Sequence, residues 1–298
     1  MNAVTGALSY TGRAIAEELL QRGEQVVSLS RLDDPADPLR SQIDLRRLRF
    51  DDSLAASLEG VDTLYNTYWI RFERGGTSFD DAVRRTIMLF EAAGRAGVRR
   101  VVHLSVSGAD VADDLPYFRG KHRLEQWLER SDLDWAVVRP TLVFGPNDIL
   151  VNNIAWILRR FPLFVVPRPA DCLVQPVSVR DTARIAVDAE SGLTTDAAGP
   201  EVLEFRRLVE LIARAAGSHA RIVEGSRALA QATVRVANAL LRDVVVTRDE
   251  LSGLARSLLT SSSAPQGSDS FSAWLGENGD SLGRRYESEL RRNFRGQE

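Results

Sequence analysis

The sequence predicts an α/β fold: a doubly wound parallel sheet joined to a smaller, mostly helical C-terminal lobe. Three observations predict it. A glycine-bracketed turn, Val4-Thr5-Gly6-Ala7-Leu8-Ser9-Tyr10-Thr11-Gly12, links a very short apolar run to a helix-like stretch. Strand-like and helix-like segments then alternate through the first half. Beyond Gly145 the alternation fades.

The elements follow in order. After Gly12, apolar Ile15, Leu19 and Leu20 alternate with Glu17, Glu18, Gln21 and Arg22, the spacing of an amphipathic helix that stops at Gly23. Gln25 to Ser30 reads as a buried strand, completing a βαβ unit. Leu48-Arg49-Phe50 leads to Asp51, and a helix is expected through Leu54 and Leu58, ending near Gly60. Val61 to Asn66 is the next strand, and Phe79 to Ala96 a long helix stopped by Gly97. Val101 to Ser105 is a short buried strand, Phe118 to Arg130 a helix, and Trp135 to Pro140 a strand ended by proline. Residues 1–150, with 172–190 returning to them, are expected to form one domain. Residues 151–171 and 191–298 are expected to form the lobe. Thr260 to Ser268 reads as a flexible linker, and the charged tail after Arg284 as frayed or weakly docked. Ala228 to Val246, apolar on one side with Arg235 and Arg242 on the other, reads as a lid helix over a pocket or as a surface for a membrane or partner.

The opening turn carries a chemical implication. Open backbone N–H groups and the positive end of a helix converge on one spot, where a pyrophosphate can sit. Gly6 and Gly12 fill the outer places of a dinucleotide turn, and Ser9 stands where the pattern has its middle glycine. A hydroxyl there, beside Tyr10 and Thr11, is expected to face the phosphates. About twenty residues on, an NAD site shows an acidic residue for the ribose 2′-OH. Here Ser30 and Arg31 stand there, a hydroxyl and a guanidinium suited to a 2′-phosphate. The expected cofactor is therefore NADP, with NAD as the alternative if Asp33 or Asp34 takes the ribose and Arg31 is a solvated loop residue.

Composition excludes other classes. The chain has 298 residues, 44% hydrophobic and 27% charged, which supports a sizeable core. A formal charge of −3 gives no footprint for nucleic acid. One cysteine, Cys172, has no internal partner, fits a reducing compartment, and reads as a buried structural thiol. His103, His122 and His219 are scattered, so no metal site is expected. With neither a leader nor an uncharged membrane-length stretch, a cytoplasmic location is expected.

Ser107, Tyr117 and Lys121 form a second constellation. Tyrosine and lysine four apart share a helix face, so the ammonium can lower the phenol's pKa and also hold a cofactor ribose. A serine at the end of the preceding strand can hold a substrate oxygen while the tyrosine exchanges its proton. Ser105, one pleat away on the same face, is the rival serine. The structural reading is that Tyr117 caps or packs the helix start.

On these motifs the chain resembles the short-chain dehydrogenase/reductase superfamily, in its extended and atypical branches, near complex I 39-kDa subunit-like and NmrA-like proteins. The resemblance rests on TGALSYTG at 5–12, Phe50-Asp51, Glu91-Ala92-Ala93, HLSVSGAD at 103–110, YFRGK at 117–121, VRPTLVFGP at 138–146 and QPVSVRD at 175–181. It runs from Val4 to about Ala189 and more loosely beyond. It implies a Rossmann-type fold, with Gly6, Ser9 and Gly12 as the phosphate loop and Arg31 as the 2′-phosphate contact. It also implies that Asp51 bonds the adenine amino group, that Ser107, Tyr117 and Lys121 are catalytic, and that Pro140 and Thr141 lie beside the nicotinamide. Asp51 can equally cap the following turn, and Pro140 can simply end its strand.

One departure stands out. Where the family has small residues beside the cofactor after the fourth strand, this chain has Asn66-Thr67-Tyr68-Trp69, which crowds the dinucleotide or builds a substrate wall; Asn66 itself is expected to contact the cofactor. The interval from Ser107 to Tyr117 is also shorter than in the extended enzymes. The reading is an NADP-dependent oxidoreductase or epimerase acting on a small carbonyl or hydroxyl substrate, with Trp69, Trp156, Phe161 and Phe164 lining an apolar pocket. The alternative is a non-catalytic NADP-binding sensor or assembly module. A homodimer is implied by family likeness alone.

Overall fold

The computed structural model describes residues 1–298 except 169–170, 227, 230–231, 234–237, 239–240, 245 and 294–298. In chain order its first elements are β1 (Asn2–Thr5), α1 (Tyr10–Gln21), β2 (Val26–Ser30), β3 (Asp44–Arg47), β4 (Thr63–Asn66), α2 (Phe79–Arg95), β5 (Arg100–Leu104), α3 (Pro116–Glu129) and β6 (Asp134–Pro140). Then come β7 (Leu142–Phe144), α4 (Ile149–Arg160), β8 (Leu163–Pro167), β9 (Leu173–Val174), β10 (Pro176–Ser178), α5 (Val179–Asp188), β11 (Leu193–Ala197) and β12 (Leu203–Glu204). The last are α6 (Phe205–Ala215), β13 (Arg221–Gly225), α7 (Arg248–Ala255), α8 (Phe271–Asn278) and α9 (Glu289–Asn293).

The chain divides into two compact units, Met1–Pro140 with Val179–Ala197, and Thr141–Ser178 with Ala198–Glu298. The first holds a seven-stranded parallel sheet in the order β11-β6-β5-β4-β1-β2-β3. Strand order reverses between β1 and β4, and in open sheets of this kind the crevice beyond the carboxyl ends at such a reversal is where ligands bind. Alternation along each strand feeds two cores. Leu64, Val101 and Val137 face Phe90, Leu124 and Leu128 of α2 and α3. Val4, Val102 and Val138 face Ile15, Leu19 and Ile185 of α1 and α5.

Local chemistry sets the helix ends. Ser78 and Asp81 form a capping box at the start of α2, and Pro116 opens α3 at the first helical position, two residues ahead of the expected start. Gly23, at φ +78°, ends α1 in the left-handed region. The helix expected through Leu54 and Leu58 is instead two 3-10 turns, Asp52–Leu54 and Ala56–Leu58, that still bury both leucines. Pairing with β2 ends at Arg47, so β3 lies just upstream of Leu48-Arg49-Phe50.

The first exit from the sheet falls at Pro140 because Leu142–Phe144 pairs with Pro176–Ser178 rather than extending β6. The return runs to Ala197, since Leu193–Ala197 adds a seventh strand against Ala136–Pro140. In the second unit, three two-stranded sheets join helices around Phe144, Ile154, Leu208, Ile212 and Phe271. The segment expected as a linker is docked there. Ser261 N–H donates to Gln175 Oε1 at 2.9 Å, and Gly267 N–H to Ala198 O at 2.8 Å. The tail is held as well: Asp243 accepts from Tyr286 Oη at 2.8 Å and from Glu289 N–H at 2.9 Å. Much of the expected lid segment 228–246, Arg235 included, lies outside the described residues. Among those described, no helix is long and apolar enough to cross a membrane.

Candidate active site

The opening turn closes on itself. Gly6 has φ +67°, and its N–H donates to Leu29 O at 2.9 Å, which ties the turn to β2. A Cβ at Gly12 would stand 2.3 Å from Gly6 O and 2.9 Å from Thr5 O, so only glycine lets α1 start this close to β1. Ser9 is the N-cap, yet its hydroxyl makes no capping bond; it donates to Gly6 O at 2.6 Å. The Ser9 proton thus seals the turn. The N–H groups of the first helical turn, beginning with Tyr10 and Thr11, have no intrahelical acceptor, and no acidic residue stands in that turn. An anion fits there.

At the carboxyl end of β2, Ser30 Oγ accepts from Leu32 N–H at 2.9 Å. Arg31 is exposed and makes no ion pair or side-chain hydrogen bond among the described residues. Its acidic neighbours are engaged elsewhere. Asp33 pairs with Arg40 at 2.6 Å, Asp34 accepts from Ala36 N–H, and Asp37 pairs with Arg13 while capping the turn Pro38–Gln42. Asp51 is exposed and accepts from Ser53 N–H and Oγ, bonds that hold its carboxyl below its usual range. Asn66 is fully buried. Its amide donates to His103 Nδ1 at 2.9 Å and accepts from Tyr68 N–H at 3.2 Å, so the side chain is spent inside the protein. Burial keeps His103 neutral, its pKa well below the ordinary value.

Tyr117 and Lys121 lie one turn apart near the start of α3. Lys121 is 4% exposed, and its Nζ donates to Leu104 O, at the end of β5, at 2.6 Å. Burial pulls its pKa down to about 7, with Glu125 opposing the shift. Trp69 covers this ammonium, its ring centroid 4.8 Å from Nζ, and meets the Tyr117 ring edge-on at 6.0 Å. Tyr117 also meets Phe79 and Phe118 edge-on. Ser107 is buried, and its N–H donates to Pro140 O at 3.0 Å, joining the loop after β5 to the end of β6. Ser105 is buried too, and its Oγ has no hydrogen-bond partner. Thr141 belongs to the second unit, where its hydroxyl donates to Gln175 O. Trp156, in that same unit, meets Tyr286 edge-on at 5.2 Å and lies beneath Arg160. Cys172 is buried, which pushes its thiol up to about 11.

Sequence reading missed one supporting feature. Arg139 forks onto Glu125 at 2.6 and 3.0 Å and reaches Asp110 at 3.0 Å, with the Glu125 side chain 1% exposed. This bidentate pair clamps α3, and with it Lys121, to β6. Its sequence signal was an arginine closing the apolar run Ala136–Val138 and a glutamate one turn after Lys121.

Residues 6–147 match the NAD(P)H-binding family model. An uncharacterised protein of Mycobacterium tuberculosis is 30% identical over 218 residues, 71% of this chain and 23% of that protein. The NADH-ubiquinone oxidoreductase 40 kDa subunit of Neurospora crassa is 28% identical over 160 residues, 51% of this chain and 43% of that one. The chain thus spans less than half the length of either relative. Among solved structures, a triphenylmethane reductase of Citrobacter sp. superposes with a TM-score of 0.77 at 15% identity, over 94% of this chain and 99% of that one. An NADPH-dependent quinone oxidoreductase of Escherichia coli, complexed with NADPH, superposes with a TM-score of 0.74 at 19% identity, over 94% and 99%. These two likenesses show the shared fold. Over residues 6–147 the chain is similar to the NAD(P)H-binding family, and its cofactor is NAD(P). The glycine cradle and a helix start with no acidic residue in its first turn fit that nucleotide.

Proposed function

We propose that the protein is an NADP-dependent oxidoreductase or epimerase acting on a small carbonyl or hydroxyl compound. The observation that carries this reading is the buried Lys121 ammonium, held against the carboxyl end of β5 one helical turn from Tyr117, in the unit that opens with the glycine cradle. Gly6, Gly12 and the N–H groups of Tyr10 and Thr11 would hold the diphosphate, with Ser9 bracing the turn. Arg31, the free cation at the end of β2, would take the 2′-phosphate, and Asp51 the adenine. Pro140 and Thr141 would lie near the nicotinamide. The bound nucleotide supplies or accepts a hydride.

The protein's own groups handle the proton. Tyr117 Oη gives a proton to the substrate oxygen as a carbonyl is reduced and takes it back in the reverse direction. Lys121 brings positive charge to that end of α3 and would hold the adjoining ribose, while Ser107 orients the substrate oxygen. In purified protein, NADPH fluorescence should shift on binding, and a panel of carbonyl compounds should include one that consumes NADPH. Tyr117→Phe should lower that turnover at least about 100-fold, the lower end of what general acid–base catalysis supplies, with nucleotide affinity preserved. Undiminished turnover would remove Tyr117 from the mechanism.

A second reading, a nucleotide-binding module without turnover, is favoured by one observation: the Lys121 ammonium is already engaged by Leu104 O and covered by Trp69. Tight NADPH binding with no consumption across the panel would select it.

A further inference from the structure

We propose that Arg139 is a positioning residue for Lys121: its guanidinium draws the Glu125 carboxylate toward β6 and so keeps that charge from pairing with the Lys121 ammonium one helical turn away. The part Lys121 plays in turnover rests on the reading above, whereas the arrangement of the three groups belongs to the folded chain itself.

Lys121 is the only lysine in the sequence; every other residue among the 38 lysines and arginines is an arginine. An arginine keeps its proton at any working pH, whereas a buried amine can give one up. The chain's one side-chain amine therefore stands at the candidate site.

Its setting is the anomaly. Lys121 and Glu125 are both buried and lie four residues apart on α3, the spacing at which opposite charges pair. They do not pair. Lys121 Nζ donates to Leu104 O at 2.6 Å, while Arg139 occupies both Glu125 oxygens, Nε on Oε1 at 3.0 Å and Nη2 on Oε2 at 2.6 Å. Asp110 accepts from Nη1 at 3.0 Å, so the guanidinium is held from two directions. A buried ammonium that meets a carbonyl and no counter-ion among the described residues holds its proton loosely. The other titratable groups near it are Tyr117, one turn back on α3, and His103 on β5, which burial keeps neutral. Trp69, which covers it, brings no charge. Arg139 is thus what separates the lysine from the carboxylate that acts on its charge.

A single lysine makes the test direct. Full-length protein grown with [13Cε]lysine gives one lysine resonance, and its shift follows the charge on Nζ. Titrated without nucleotide, the wild type should show a midpoint near 7. Arg139→Gln frees the carboxylate and should raise that midpoint by at least about one pH unit, the effect of an opposite charge brought within reach. Glu125→Gln should lower it, and the double variant Arg139→Gln/Glu125→Gln should lack the rise. An unmoved midpoint in Arg139→Gln overturns the proposal. A rise that persists in the double variant overturns it too, because water entering a loosened site is then the cause. Should Arg139→Gln fail to fold, Glu125→Gln decides, since an unmoved midpoint there leaves no charge for Arg139 to withhold. Calorimetry of the same wild-type sample with NADPH judges the nucleotide reading separately: absence of heat sinks that reading, and with it any service of Arg139 to turnover, whatever the midpoints show.

Discussion

At Gly12 a single methyl group would meet two carbonyl oxygens of the preceding turn, at 2.3 and 2.9 Å. Neither is a flexible side-chain end, so backbone must shift. Gly12→Ala should therefore cost about 1–3 kcal/mol, the range for overpacking, and abolish NADPH binding by moving the helix start. The urea midpoint and a nucleotide titration read the two effects separately. Lys121 makes a different demand. In the folded chain its pKa is about 7, against 10.5 when unfolded. Between those values the unfolded chain holds a proton that the folded chain has released. Stability should therefore rise with pH across that window, by up to about 1.4 kcal/mol per pH unit. Denaturant melts from pH 7 to 10 should show the slope in the wild type and lose it in Lys121→Met; an unchanged slope would contradict the burial of this ammonium. The residues legible in sequence were those whose chemistry is tied to spacing, such as Gly6 and Gly12 in the turn and Tyr117 and Lys121 on one helix face. The Asn66 amide, spent on His103 and Tyr68, was not legible, because inward or outward orientation at a strand end leaves no local mark.

Elements carry these residues into place, and the joint between α3 and β6 is the most exposed to test. Glu125 is the buried partner of Arg139, so Glu125→Ala leaves a partly buried guanidinium with only the more exposed Asp110. The expected loss is about 3–5 kcal/mol, as for other broken buried pairs, with loosened nucleotide binding because Lys121 rides on the same helix. A loss below about 1 kcal/mol, the range of an exposed pair, would show that the clamp is ornamental. Strands and helices with a clear apolar period, from β1 through α2 and β5 to β6, could be read from the chain. The edge strand β11 could not: Leu-Thr-Thr-Asp-Ala has no buried stripe, and only its partner β6 makes it a strand. The stretch after Asp51 misled for a related reason. Leu54 and Leu58 have helical spacing, yet Asp51 and Ser53 bond locally and break the run into short turns.

For the whole molecule, the parallel sheet and its reversal between β1 and β4 bring sequence-distant residues to one edge. Thr5 and Asn66, joined through their side chains, are one such pair. That a doubly wound parallel sheet would form was legible from the alternation, and its strand order was not. Where the chain leaves it was not, because β7 and β10 are three residues each and pair only with one another. The second unit was also read as looser than it is. Gln175, buried, collects the 260–268 segment and Gly199, which a composition rich in serine does not announce. Asp243→Ala, which frees Tyr286 and the start of α9, should release the tail to limited proteolysis while the nucleotide-binding unit keeps its affinity; parallel loss of NADPH binding would contradict that independence. The most direct measurement is calorimetry of the folded protein with NADPH and then NADH. Saturable one-to-one heat is expected with both, tighter for NADPH because Arg31 is exposed and makes no ion pair among the described residues. No heat with either nucleotide would contradict it.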